Sequence, residues 1–323
     1  MDLPSAQDVL GHVIANRYLV ESFCDQSGAS SSYFAYHLAL DRPVLLRVLG
    51  GRTGLDREAC RRALQAAERA ARVSHAHVSR TIDVGLLGER WPFVVSFDGR
   101  GRTLASLLAQ SGPFELNPLL RIGQRLASAL GAAHAAGVVH GAISLDQLWL
   151  EGSAPLEGSL KVLGFGVSEL PGPDLYGSTS GIYPSSLRRQ VELGLDGRAP
   201  FRGDIHAIGN TLYQLATGFR PAWVPGDVAA ILDSDFAGSP WTSHRALTRA
   251  LAMIVQRCLH VLPDTNYEQP SQVLGDLERL AETAATLTAQ PAGPAAPIRT
   301  VHTPPRPYRA AFPSEPKVIV RGG

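Results

Sequence analysis

Cysteine is scarce in this chain: Cys24, Cys60 and Cys258 are far apart and odd in number. They supply neither a disulfide framework nor metal-ligand spacing, which excludes a stapled secreted scaffold and fits a reducing, cytoplasmic setting. Lysine is scarcer still, with only Lys161 and Lys317, so nearly every basic side chain is arginine. No apolar stretch approaches the roughly 18 residues that a membrane span needs. Met1 to Asn16 also lacks the basic-then-apolar run of a signal peptide. An excess of one charge is missing too: 30 basic and 29 acidic residues leave a net charge of +1. That balance gives no electrostatic case for nucleic acid or anionic lipid as the main partner.

What is present suits a packed domain, with 45% hydrophobic and 18% charged residues. The first part reads as β-rich. Tyr18-Leu19-Val20, Ser32 to Ala35 and Val44 to Leu49 are apolar runs separated by Gly, Ser, Asp and Pro. Asp56 to Val73 reads as an Ala- and Arg-rich helix, and Val78 to Val84 and Trp91 to Phe97 as two more strands. Together they predict a sheet of five strands with one helix. After Gly101 the period becomes helical. Asn117 is placed to cap a helix with Pro118 in its first turn. Leu119, Ile122, Leu126, Leu130 and Ala133 share a face of that helix, and Gly137 stops it. Short strands are expected at Val138-Val139, Leu148 to Leu150 and Leu160 to Leu163. Helices follow at Asp204 to Thr217, Arg245 to His260 and Gln269 to Thr286. From about Gln290 Ala, Pro and Thr dominate without periodicity, which reads as a flexible tail.

Six collinear segments carry a resemblance to bacterial Ser/Thr protein kinases of the actinobacterial type. Tyr18 to Ala35 resembles the strand, Gly-rich loop and second strand; Pro43 to Leu49 the strand with the nucleotide lysine; Pro92 to Leu104 the hinge. Val138 to Gln147 resembles the catalytic loop, Lys161 to Gly166 the metal-binding turn, and Gly203 to Gly209 the start of the central large-lobe helix. The resemblance implies an α+β, two-lobed protein-kinase-like fold with a β-rich N-lobe holding one helix and a helical C-lobe. Its parts are an N-terminal extension over 1–14, the N-lobe over 15–98, the C-lobe over 99–288 and a Pro-rich tail over 289–323.

Kinases transfer phosphate by positioning and electrostatics, so they need a lysine on the phosphates, a glutamate holding it, two metal ligands and a catalytic aspartate. By the resemblance, these positions are Arg47, Ala66, Gln147, Gly164 and Ala142. Arginine keeps the charge but not the compact ammonium. Alanine at 142 accepts no proton, and glycine at 164 has no ligand atom. Glu68 and Asp146 lie near two of these positions in sequence but read as solvated acids. The loop over Asp25 to Ser30 keeps Gly28 alone, and Asp25 adds negative charge where phosphates would sit. Leu45 and Trp149 are expected to fill the base's volume, beside Ser32 in place of the usual roof valine. His140, Phe165 and Asp204 remain at the positions that tie the large lobe together, while Gly141 replaces an arginine that reads a phosphorylated segment. The run from Ser168 to Pro200 has only Tyr183-Pro184 as a remnant of its usual ending.

Other constellations are weaker. His75 and His77 read as capping or core groups in preference to metal ligands, and Ser178, Thr179 and Ser180 have no adjacent His–Asp pairing. Trp91, Trp149, Trp223 and Trp241 form no basic aromatic stripe. In the tail, Thr300 and Thr303 stand among arginines and prolines as candidate phosphoacceptors, although a solvated linker is the plainer reading.

The expectation is therefore an inactive kinase-like chain: not an enzyme, without cofactor or metal, acting as a regulatory scaffold. Its partners would be proteins, including an active Ser/Thr kinase and a forkhead-associated domain that reads the tail. The resemblance extends to pseudokinase domains attached to the flippase for peptidoglycan precursors. It thus implies a role in cell-wall synthesis and tethering to the inner face of the membrane if the chain is part of a longer protein. A non-catalytic nucleotide sensor and a weakly active Ser/Thr kinase are the alternatives.

Overall fold

A computed structural model of the chain describes residues 9–27, 30–51, 54–96, 101–141, 143–152, 158–165, 199–219, 221, 245–259 and 266–289. Its first lobe is an antiparallel sheet of β1 (Val13–Ile14), β2 (Tyr18–Ser27), β3 (Ser30–His37), β4 (Arg42–Leu49), β5 (Thr81–Leu87) and β6 (Trp91–Ser96). The strand order is β1-β2-β3-β4-β6-β5. The sheet has six strands where sequence predicted five, because Val13 and Ile14 pair with Leu19 and Tyr18. A two-residue strand carries too little period-2 signal to be read in advance. Tyr18 Oη donates to Asp83 Oδ2 at 2.6 Å, drawing the start of β2 onto β5.

Helix α1 (Arg57–Ala70) follows β4 and is capped by Asp56, whose Oδ1 accepts from Ala59 N at 2.7 Å. It lies on the sheet through Ala59, Cys60 and Ala63, against Leu49 and Leu55.

The second lobe is helical: α2 (Leu104–Ser111), α3 (Leu116–Ala135), α4 (Ala199–Thr217), α5 (Arg245–Cys258) and α6 (Pro270–Ala289). A small sheet, β7 (Gly101–Thr103), β8 (Leu148–Glu151) and β9 (Ser159–Val162), faces the first lobe in the order β7-β8-β9. The apolar faces of α3, α4, α5 and α6 meet in one core that includes Leu119, Leu126, Ile208, Leu212, Leu251 and Leu277. This is the two-lobed protein-kinase-like architecture, a curled β-sheet lobe on a helical lobe.

Three local expectations are corrected. Val138-Val139 is not a strand. Gly101 to Thr103 is a strand, and Thr103 is the cap of α2, its Oγ1 accepting from Ser106 N at 3.1 Å. α3 begins at Leu116 with Glu115 as its cap residue, not at Asn117; Pro118 still falls in the first turn, where no N–H is required of it. Gly137, at φ +72°, ends α3 as read.

Candidate functional site

The cleft between the lobes is built from three short pieces of chain. β4 supplies Arg47, which faces Ser32 on one neighbour strand and Val94 on the other. The 3₁₀ turn Leu145–Gln147 supplies Gln147. The residue after Leu163 supplies Gly164, in the left-handed region at φ +83°. Leu163 N donates to Gln147 O at 2.8 Å, which holds the last two pieces together.

Arg47 and Gln147 are 6% and 8% exposed, so the arginine charge is taken almost out of water. Both side chains end at Gly164. A Cβ there would overlap Arg47 Nη1 and come within 2.6 Å of Gln147 Oε1. The guanidinium thus occupies the volume that a side chain at 164 would need. Gln147 Oε1 is buried and has no hydrogen-bond partner among the described residues.

Beside them, Leu45, Trp149 and Leu163 form a buried cluster with Phe34 and Cys24 packed against it. The Phe34 and Trp149 rings meet edge to face, centroids 5.8 Å apart. A cavity of about 30 Å³ remains behind them, lined by Leu45, Arg47, Val94, Ser96, Gly164 and Phe165 among others. That is room for a water or two.

Ala66 is buried on the inner face of α1 and Glu68 is exposed on its outer face. Asp146 precedes Gln147 in the 3₁₀ turn. Ala142, Thr300 and Thr303 lie outside the described residues, as do Gly28, Ser178 to Ser180, Tyr183-Pro184, Trp223 and Trp241.

Under the cleft, Asp204 organises the loop. Its Oδ2 accepts from His140 N at 2.9 Å and from His134 Nε2 at 2.8 Å, and its Oδ1 accepts from Gly141 N at 2.7 Å. His140 Nε2 donates to Leu163 O at 2.7 Å, and its ring meets Phe165 edge on at 4.6 Å. Full burial holds His140 below the ordinary imidazole range, with Asp204 partly opposing the shift. His134 was not singled out in the sequence. Its only signal is its place one turn beyond Leu130 on the inner side of α3. His75 and His77 sit at the lobe junction. His77 N donates to His75 Nδ1 at 3.1 Å, and His77 Nδ1 donates to Leu160 O at 3.1 Å. Among the described residues no cluster of His, Cys, Asp or Glu could hold a metal ion, and no helix is long and apolar enough to cross a membrane.

The fold and the cleft define the class. In structure the chain is similar to the kinase domain of Mycobacterium tuberculosis PknI, with TM-score 0.63, 20% identity, and coverage of 84% of this chain and 98% of that one. A double mutant of the same domain gives TM-score 0.64 at 21% identity, covering 87% and 100%. In sequence it is similar to a probable Ser/Thr protein kinase of Clostridium acetobutylicum, 27% identical over 84% of this chain and 41% of that protein. It is likewise similar to the Ser/Thr protein kinase PknL of Mycobacterium tuberculosis, 29% identical over 65% of this chain and 51% of that protein. Pkn3 of Myxococcus xanthus is 28% identical over 68% and 41%. The chain therefore spans about half the length, or less, of the curated relatives it matches. No protein-family model matches it.

The chain thus has the protein-kinase-like fold and is similar in sequence to bacterial Ser/Thr protein kinases. These findings correct the expectation that it is not an enzyme: the proteins it matches are named kinases and its structural neighbours are kinase domains. The expectation weighed lost side chains alone. Phosphoryl transfer rests on charge and position more than on covalent chemistry, and Arg47 and Gln147 still place a cation and an oxygen donor in the cleft.

Proposed function

We propose that the chain is a Ser/Thr-kinase-like regulatory domain that acts mainly by holding protein partners, with phosphoryl transfer by its altered cleft slow at most. The observation that carries this reading is the convergence of Arg47 and Gln147 on Gly164. A cation fixed in the protein fills the space beside the metal-binding turn, and no carboxylate stands at 47, 147 or 164. The packed Leu45–Trp149–Phe34 cluster supports the same reading over a nucleotide sensor, because it leaves little volume for a purine. The proposed partners are an active Ser/Thr kinase that modifies Thr300 or Thr303 and a forkhead-associated domain that reads the phosphothreonine. The proposed setting is control of cell-wall synthesis at the inner face of the membrane.

A second reading, a weakly active Ser/Thr kinase, is favoured by the names of the relatives and by the charge kept at Arg47. Radiolabelled phosphotransfer with Mg²⁺ separates the two. Turnover that disappears in Gln147→Ala establishes the kinase. A folded chain with no incorporation, but with labelling of Thr300 or Thr303 by an active Ser/Thr kinase, supports the regulatory domain.

A further inference from the structure

We propose that the outward face of α1 is a docking surface for an acidic polypeptide segment, whether or not the cleft transfers phosphate. The helix is divided sharply. Its buried residues are Ala59, Cys60, Ala63, Ala66, Ala67 and Ala70. Its outward side carries Arg57, Arg61, Arg62 and Arg69, continued by Arg72 just beyond its end; all are exposed except the half-buried Arg62. Glu58 and Glu68 oppose them on that side, and Asp56 at the cap and Glu89 beside Arg90 flank its start. Arg90, exposed in the β5–β6 turn, extends the face past the start of the helix, where Leu55 N donates to Arg90 O at 2.7 Å.

Folding does not require this pattern. Arginines four apart on the helix, Arg57 and Arg61, repel and weaken it. Only Arg62 among these arginines is half-buried; the others extend into solvent. The excess is also local, since the whole chain carries a net charge of only +1.

The chemistry of the partner follows from the side chain used. A guanidinium fork takes a carboxylate through two parallel bonds. Glu58 and Arg61 already form that pair, Nε to Oε2 at 3.0 Å and Nη2 to Oε1 at 2.5 Å. A segment of Asp and Glu laid along the helix would repeat it at Arg57 and Arg72. α1 has no aromatic side chain on which a base could stack.

The probe is a fluorescein-labelled deca-glutamate peptide, titrated into the full chain and read by anisotropy. Saturable binding is expected, weakening as salt rises. The triple variant Arg61→Gln, Arg69→Gln, Arg72→Gln should bind about fivefold more weakly or worse, while Arg249→Gln on α5 changes nothing. In the wild-type chain, the peptide should also protect the α1 arginines from phenylglyoxal as mapped by mass spectrometry, which tests the surface without any variant. Absence of saturable binding, an equal loss in Arg249→Gln, or no protection of α1 overturns the proposal. Tighter binding of a charge-matched oligothymidylate also overturns it, because the face would then be a nucleic-acid surface.

Discussion

Gly164 is a position where one atom matters. Its φ of +83° is left-handed, and the space a Cβ would take already holds the ends of Arg47 and Gln147. Gly164→Ala should therefore destabilise the chain by about 2 kcal/mol, part from backbone strain and part from displacing two buried side chains. The second part depends on Arg47. In an Arg47→Ala background the same substitution should cost measurably less, and a thermal double-mutant cycle with no coupling would show that the two residues do not share the site. His140, His75 and His77 carry a second residue-level expectation. Burial keeps all three imidazoles below their ordinary range. A histidine neutral in the folded chain but protonated on unfolding makes stability rise with pH. That stability is lost as pH falls below the ordinary value of about 6.5. Glu58 is held below the carboxylate range by its hydrogen bond from Arg61, so its contribution is lost only at lower pH. The melting temperature should thus fall steadily from pH 7 to 5.5; a flat profile over that span would contradict the burial argument.

At the scale of elements, long periodic segments were legible and short ones were not. The apolar face of α3, from Leu119 to Ala133, and that of α4 could be read from spacing alone, because each repeats over several turns. β1 and β7 have two and three residues and owe their existence to a neighbouring strand, Tyr18–Leu19 for one and Trp149–Glu151 for the other. Pairing partners across the fold leave no trace in local sequence. The site divides the same way. Motif order located Arg47, Gln147 and Gly164 separately, but their convergence depends on how β4 is seated over β9, and only the assembled lobes reveal it. His134 was missed for the same reason, since its partner, Asp204, is 70 residues away. Asp204 is where α4 joins the loop at His140. Asp204→Ala would remove the carboxylate that accepts from the buried His140 N–H, the half-buried Gly141 N–H and the His134 ring, so a loss of about 3 kcal/mol or more is expected. Asp204→Asn, which keeps an oxygen but loses the charge, should lie between. A chemical melt in which Asp204→Ala matches the wild type would show that the loop is held by other contacts.

At the scale of the molecule, the two lobes meet through packed side chains where a kinase would hold a nucleotide, and this makes the cleft testable as a volume. Leu45 hangs from the N-lobe sheet and Trp149 rises from the C-lobe sheet; with Leu163 they close the space between them. A ligand that binds only the folded state must raise its melting temperature, by about 2.7 kcal/mol of stabilisation at a hundredfold excess over Kd. With the cleft packed, ATP should give no shift in the wild-type chain, with or without Mg²⁺. Leu45→Ala removes a branched side chain that lines the same cavity as Arg47 and should cost about 2–5 kcal/mol, the range for emptying a packed core position. The room it leaves adjoins a buried guanidinium. Adenine nucleotides should then raise the melting temperature of the variant while leaving the parent unchanged. That shift should be the same in EDTA as in Mg²⁺, because the positive charge facing the phosphates belongs to Arg47 and not to a metal held by carboxylates. A Mg²⁺-dependent shift in the wild-type chain would instead mean that the cleft opens in solution and recruits ligands for the ion from elsewhere.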